Sequence, residues 1–473
     1  MDDRRNIWAL VAVALATFMT YLDNNIINVA IPVIEEDLHL TTSGMEWIVS
    51  SYILTFAGLM LVGGRLADLF GRRRVFLLGL AIFTLASFAA GLSGDVGTLI
   101  ASRAVQGVGA ALLTPTTLAI ISATFTDKRE RNVAVGIWGA VGALALAAGP
   151  LLGGFLSEHV AWEWIFFINV PLGVVTAAIA MWAIDESRDP VSRRLDLSGL
   201  AASTVALSAL TFALIEGISR GWTSAPILLS FVVAAVSGLA FVAIEATTTD
   251  PMVDLALFRD RVFTGAIVSL MLWAFGLFGI YFFTSLYLQG VLGFSPTRAG
   301  VTFVPMALFM AVAAASSEGI ARRFGAHRSV TFGMALMGTA IASVAMFGQG
   351  ASMLDLMPSF IAIGIGGGLT IPLTATVLGV MPQDQAGVAS GVFNTSRELA
   401  GLLGITVIGV ILTSREDSLL GAGNAPVDAF LGGYRLGLVV AGALVVAGAV
   451  AAWAALRKAE SEPVVNEDVL VGV

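Results

Sequence analysis

GRLADLFGRRR, residues Gly64 to Arg74, lies between two apolar runs near 46–64 and 75–93. Four arginines and Asp68 make it a charged turn. Each flanking run has the length of ~20 residues that a helix needs to cross ~30 Å of hydrocarbon. Gly71 suits a tight reversal between antiparallel helices. A second stretch, IARRFGAHR from Ile320 to Arg328, follows a later apolar run. Set against LADLFGRRR from Leu66, its aliphatic first residue, alanine, phenylalanine, glycine and last arginine match in register.

The same alternation of apolar run and polar turn continues along the chain. Spans fall near 7–33, 46–64, 75–93, 97–120, 131–156, 165–184, 198–216, 225–245, 262–289, 298–319, 328–348, 355–378, 388–413 and 434–456. The fold class predicted is an all-α membrane protein of 14 transmembrane helices. The run from Ile7 carries Asp23, Asn24, Asn25 and Asn28 and has no small-residue cleavage site, so it reads as a retained span rather than a signal peptide. Lysine and arginine orient the whole. With both termini cytoplasmic, nineteen basic residues fall on that side and four (Arg220, Arg298, Arg415 and Arg435) on the other. The charged stretch Asp185–Leu197, with Pro190, reads as a link between two halves. Parallel halves related by an axis along the membrane normal are a pattern of secondary transporters.

Composition narrows the function. Of 473 residues, 57% are hydrophobic and 12% charged, against about 25% charged in soluble proteins. No basic stripe exists for nucleic acid. Cysteine is absent, which excludes disulfides and thiolate metal sites. His39, His159 and His327 lie far apart, so no metal site is expected. The glycine run Gly364–Gly368, followed by Pro372, lies inside an apolar span and lacks the lysine of a phosphate-binding loop. No nucleotide and no other cofactor is therefore expected. Scarce lysine amid abundant arginine, alanine and glycine suits a GC-rich bacterial source.

A few polar residues inside the spans carry the chemistry. Asp23 in the first span costs ~2.5–3.5 kcal/mol to insert and is expected to face the bundle interior or a wet cavity. There it either takes and releases a proton or serves as a structural carboxylate bonded to the neighbouring asparagines. Arg103, in LIASRAVQGVGAA, keeps its charge and needs a partner, unless it snorkels to the interface. Gln106, Gly107 and Gly109 make that helix face polar and close-packed. GPLLGG, Gly149 to Gly154, combines the kinking Pro150 with glycines that allow close helix approach. Trp273, Phe275, Phe278, Tyr281, Phe282, Phe283 and Tyr287 form an aromatic wall that faces either substrate or lipid. Glu216, Glu245 and Glu318 lie near span ends, and Arg397 and Glu398, in NTSRELAG, either pair locally or lie in the cytoplasmic half of the thirteenth span. Candidate cavity residues are Asn24, Asn28, Gln106, Trp273, Tyr281, Tyr287, Asn394 and Glu398.

These residues together resemble the major facilitator superfamily, in its fourteen-span drug:proton antiporter branch. LDNNIINVAIP (Leu22–Pro32), the Gly64–Arg74 turn, LIASRAVQGVGAA, Gly136–Gly154, WEWIFFINVP (Trp162–Pro171) and GVASGVFNTSRELA (Gly387–Ala400) resemble its motifs in order. Departures are Ala145 for glycine, Glu163 for arginine and Glu398 for glutamine. The resemblance implies two six-helix bundles with two extra helices between them. The expected boundaries are 1–190, 191–258 and 259–460, with a cytoplasmic tail at 461–473. It implies alternating access, with Asp23 and Arg103 in proton coupling and Gly64, Asp68, Gly71 and Arg72 in a cytoplasmic gate. Gly149, Pro150, Gly153 and Gly154 are the gating kink associated with export. The expected activity is proton-coupled export of an amphipathic small molecule across the cell membrane by a monomer, with protons and lipid as its other partners. An importer or facilitator is the alternative. A membrane enzyme or receptor is a third, for which no nucleophile, base and acid converge.

Overall fold

The computed structural model describes residues 2–188, 196–249, 251–374 and 386–461. Among them are fourteen long helices and no strand. They are α1 (Asp2–Leu38), α2 (Thr42–Phe70), α3 (Arg72–Gly91), α4 (Val96–Thr124), α5 (Lys128–His159), α6 (Trp164–Ala183), α7 (Leu197–Arg220) and α8 (Ala225–Thr247). Then follow α9 (Arg261–Leu286), α10 (Pro296–Phe324), α11 (Ala326–Val344), α12 (Met353–Gly368), α13 (Ala386–Gly421) and α14 (Pro426–Ser461). Thirteen are long and apolar enough to span a membrane. The fourteenth, α11, has 19 residues and sits where the span near 328–348 is expected. The expected link at Pro190, Arg193 and Arg194 and the tail from residue 462 lie outside the described residues.

Short polar residues set the helix starts. Thr41, Asp95, Asp127, Asp196, Asp260 and Ser295 each accept a backbone N–H from the first turn of the following helix. Such caps satisfy donors that would otherwise be left open. Asp95 accepts from both the backbone N–H and the hydroxyl of Thr98, bonds that hold its carboxyl below the usual carboxylate range.

The sequence repeat is a structural repeat. Gly71 closes α2 at φ 110° and Gly325 closes α10 at φ 91°, both in the region that favours glycine. The Gly71 N–H donates to the Ala67 carbonyl and the Gly325 N–H to that of Ala321, so the matched alanines play matched parts.

Two bundles result. In the first, α1 packs on α4, α5 and α6, and α4 packs on α2 and α3. In the second, α9 packs on α13 and α14, α10 on α12, and α11 on α12 and α14. The α7–α8 hairpin lies outside both, with α7 against α2 and α13. The bundles meet through α5 on α10 and α2 on α13.

These inter-bundle contacts are unequal at the two ends. Away from the termini, a methyl added at Gly154 would overlap the Pro296 carbonyl, and one at Gly300 would overlap that of Pro150. There the Glu158 carboxylate accepts the Thr297 N–H at 2.8 Å, and the Gln289 side chain donates to the Val29 carbonyl at 2.9 Å. Toward the termini α5 parts from α10. Gly136 and Gly139 have nothing beside them within 4 Å, and Val133 and Ile137 are exposed. α2 and α13 stay together, with Leu61 against Gly391.

Candidate functional site: a buried ion pair beside a central cavity

Within the first bundle, Asp23 of α1 meets Arg103 of α4 at 2.5 Å, and both side chains are fully buried. Gln106 accepts from Arg103 at 2.8 Å and donates to the other Asp23 oxygen at 2.7 Å. Asn169 of α6 donates to Asp23 at 3.1 Å and to the Ser87 hydroxyl at 3.0 Å. The guanidinium also donates to the Ile48 carbonyl and lies 4.3 Å from the centre of the Tyr52 ring. Charge, hydrogen bonds and ring face together offset the cost of burying two ions. One guanidinium nitrogen, Nη2, has no partner among the described residues.

Arg103 is therefore inside the bundle and does not snorkel. The bonds of Asp23 come from α4 and α6, not from the asparagines beside it. Asn25 and Asn28 instead donate to the carbonyls of Tyr21 and Asn24 on their own helix.

Between the bundles lies a cavity of about 200 Å³ with mainly apolar walls. α1 contributes Tyr21, Asn24, Asn25 and Asn28, and α9 contributes Trp273, Phe278 and Tyr281. Arg397 and Glu398 of α13 supply its charge, paired at 2.7 Å. Three buried polar atoms of lining residues lack a partner among the described residues: Asn24 Oδ1, Trp273 Nε1 and Glu398 Oε2. An acceptor, a donor and a carboxylate oxygen thus surround one apolar space, an arrangement suited to an amphipathic molecule.

The expected cavity set divides. Asn24, Asn28, Trp273, Tyr281 and Glu398 line the cavity. Gln106 does not, because the Asp23–Arg103 pair holds it in the bundle interior at 0% exposure. Tyr287 does not either. It donates to the Gly348 carbonyl at 2.8 Å and stacks on Tyr434 at the end away from the termini. Asn394 is half-buried outside the lining.

At the expected gate, Arg72 reaches back to Asp68 at 3.1 Å. Gly64 lies against Pro115 of α4. Glu186 accepts the Arg73 N–H and lies 3.6 Å from Arg74, and a methyl on Gly71 would strike it. In GPLLGG, Gly149 and Gly153 admit the backbone of α1, while Pro150 and Gly154 meet α10. Glu216 binds Ser43, Trp47 and Arg220; Glu245 accepts the Val253 N–H; and exposed Glu318 pairs with Arg322.

Asn169, Ser87 and Tyr52 were not singled out by sequence. Asn169 had a signal, being an amide within WEWIFFINVP. Ser87 and Tyr52 had none, since serine and tyrosine are common in spans and only packing brings these two to the pair.

Two helical bundles around a central cavity, with two further helices beside them, define a membrane transporter. A family model described as the Major Facilitator Superfamily matches residues 13–405, and the chain belongs to that family. The puromycin resistance protein pur8 of Streptomyces alboniger is 33% identical, over 95% of this chain and 91% of that protein. The methylenomycin A resistance protein of Streptomyces coelicolor is 36% identical, over 90% and 91%. The multidrug resistance protein Stp of Mycobacterium tuberculosis is 33% identical, over 87% and 77%. Among solved structures, a bacterial homologue of the human lysosomal transporter Spinster superposes with a TM-score of 0.67 at 18% identity, over 97% of this chain and 99% of that one. The POT family transporter PepTSo does so with a TM-score of 0.70 at 13% identity, over 97% and 98%.

Proposed function

We propose that this chain exports amphipathic drugs or antibiotics across the cell membrane in exchange for protons. The observation that carries this reading is the juxtaposition of cavity and ion pair on α1. Asn24 lines the cavity while Asp23, the next residue, is bonded to Arg103. A proton on Asp23 removes the negative half of that pair, and α1 must then adjust against α4 and α6. Substrate pressing on Asn24 acts on the same helix from the other side. Relatives named for resistance to puromycin, methylenomycin A and multiple drugs support export over uptake.

The positive-inside bias puts both termini in the cytoplasm, so the parted α5–α10 ends face inward. In this reading the monomer takes substrate from the cytoplasm or inner leaflet. It closes around the Asp68–Arg72 turn and opens where α5 and α10 now touch. Residues 1–190 and 259–460 move as the two bundles, with 191–258 as the inserted pair. One charge crossing 100 mV contributes ~2.3 kcal/mol, more than tenfold in concentration.

The test is transport in everted vesicles with an acid lumen. The wild type should release lumenal protons when given its substrates, and Asp23→Asn should abolish that release. A variant that is folded, abundant and still fully gradient-driven would refute the coupling role. A chain that releases no protons but equilibrates substrate would be a facilitator.

A further inference from the structure

A second cavity lies off the central one, at the end away from the termini. It is a cleft of about 530 Å³ between α2, the inserted helix α7 and α13. Three carboxylates line it: Glu46 of α2, Glu216 of α7 and Asp417 of α13. Glu216 is already satisfied by Ser43, Trp47 and Arg220. Asp417 is exposed to solvent. Glu46 differs from both. It is 4% exposed, lines the cleft, and makes no hydrogen bond or ion pair with any described residue. Its carboxylate rests against Gly409, where no side chain competes for the space.

A buried carboxyl without a partner is relieved in one of two ways, by a proton or by a bound cation. The cleft has far more room than a bare metal ion uses; Leu214, Ile215, Ile218 and Val410 give it an apolar side, and Thr41, Thr42, Ser43, Ser219 and Thr413 a hydroxyl-bearing one. The apolar side suits the hydrocarbon of an organic ion. We propose that this cleft is a second binding site, for an organic monocation whose charge lies on Glu46 and whose apolar groups pack against α7 and α13. The site does not depend on the export reading, since none of the residues named here lines the central cavity.

The probe is tetraphenylphosphonium, with tetraphenylborate as its anion of like shape, and the measurement is equilibrium binding to the full chain in lipid nanodiscs, with empty discs subtracted. Glu46→Gln should bind one phosphonium ion fewer per chain than the wild type, with affinity at the lost site weakened at least tenfold. Trp273→Ala with Glu398→Gln should keep the site that Glu46→Gln loses. Equal phosphonium stoichiometry on the wild type and on Glu46→Gln would overturn the proposal. If Glu46→Gln does not fold, Ser219→Cys in the otherwise native chain decides, because the protein has no other cysteine. Phosphonium should slow its labelling by a cationic thiosulfonate at least fivefold and tetraphenylborate should not. Equal labelling with and without phosphonium would overturn the proposal.

Discussion

Asp23 and Asn24 are neighbours in the chain, yet one is sealed among α4 and α6 and the other lines the cavity. A helix turns ~100° per residue, so consecutive side chains face different partners. One helix thus joins the buried ion pair to the central cavity. Trp273 tests the cavity side. Its indole N–H is buried without a partner among the described residues, so Trp273→Phe removes a donor and leaves no new orphan. For substrates that carry an acceptor, KM should rise roughly 2- to 12-fold, the equivalent of one hydrogen bond of ~0.5–1.5 kcal/mol. The thermal midpoint should hold or rise. Concentration-dependent transport and a melting curve check both.

At the scale of elements, the crossing of α5 and α10 closes one end of the protein. Gly154 and Gly300 each face the backbone of the other helix, and backbone cannot move aside as a side chain can. Gly154→Ala and Gly300→Ala should leave the helices themselves intact, since alanine is the better helix former. The overlap should instead disfavour the closed crossing by ~1–3 kcal/mol, as overpacking does. Thiol labelling of a cysteine placed at that end should rise in both variants, while helicity by circular dichroism stays at the wild-type level. The same glycines in GPLLGG admit α1 on one face and α10 on the other, so a motif legible as close packing is a three-helix contact.

At the scale of the molecule, α7 touches α2 in one bundle and α13 in the other. Glu216 ties its end to Ser43 and Trp47, both on α2. The inserted hairpin should therefore travel with the first bundle. Paired spin labels at Val160→Cys and Ser295→Cys, both exposed sites at the closed end, report the larger motion. A single short separation is expected at rest. A second, longer one should appear with substrate under an inward proton gradient, and Asp23→Asn should not show it. Labels at Thr42→Cys and Ser219→Cys, on α2 and α7, should keep one separation throughout.

Span count and the repeat were readable in the chain because the bilayer imposes length and apolarity on every crossing segment. An aspartate and an arginine within such segments announced themselves by their cost. Periodicity says that a helix buries a face, but not which helix covers it. That Arg103 is the partner of Asp23, that Asn169 completes the pair, that Gln106 and Tyr287 stand outside the cavity, and that Glu46 lies beside Gly409 depend on crossings between distant segments. Tertiary packing alone decided those contacts, because their distances and directions arise only when all the helices are in place.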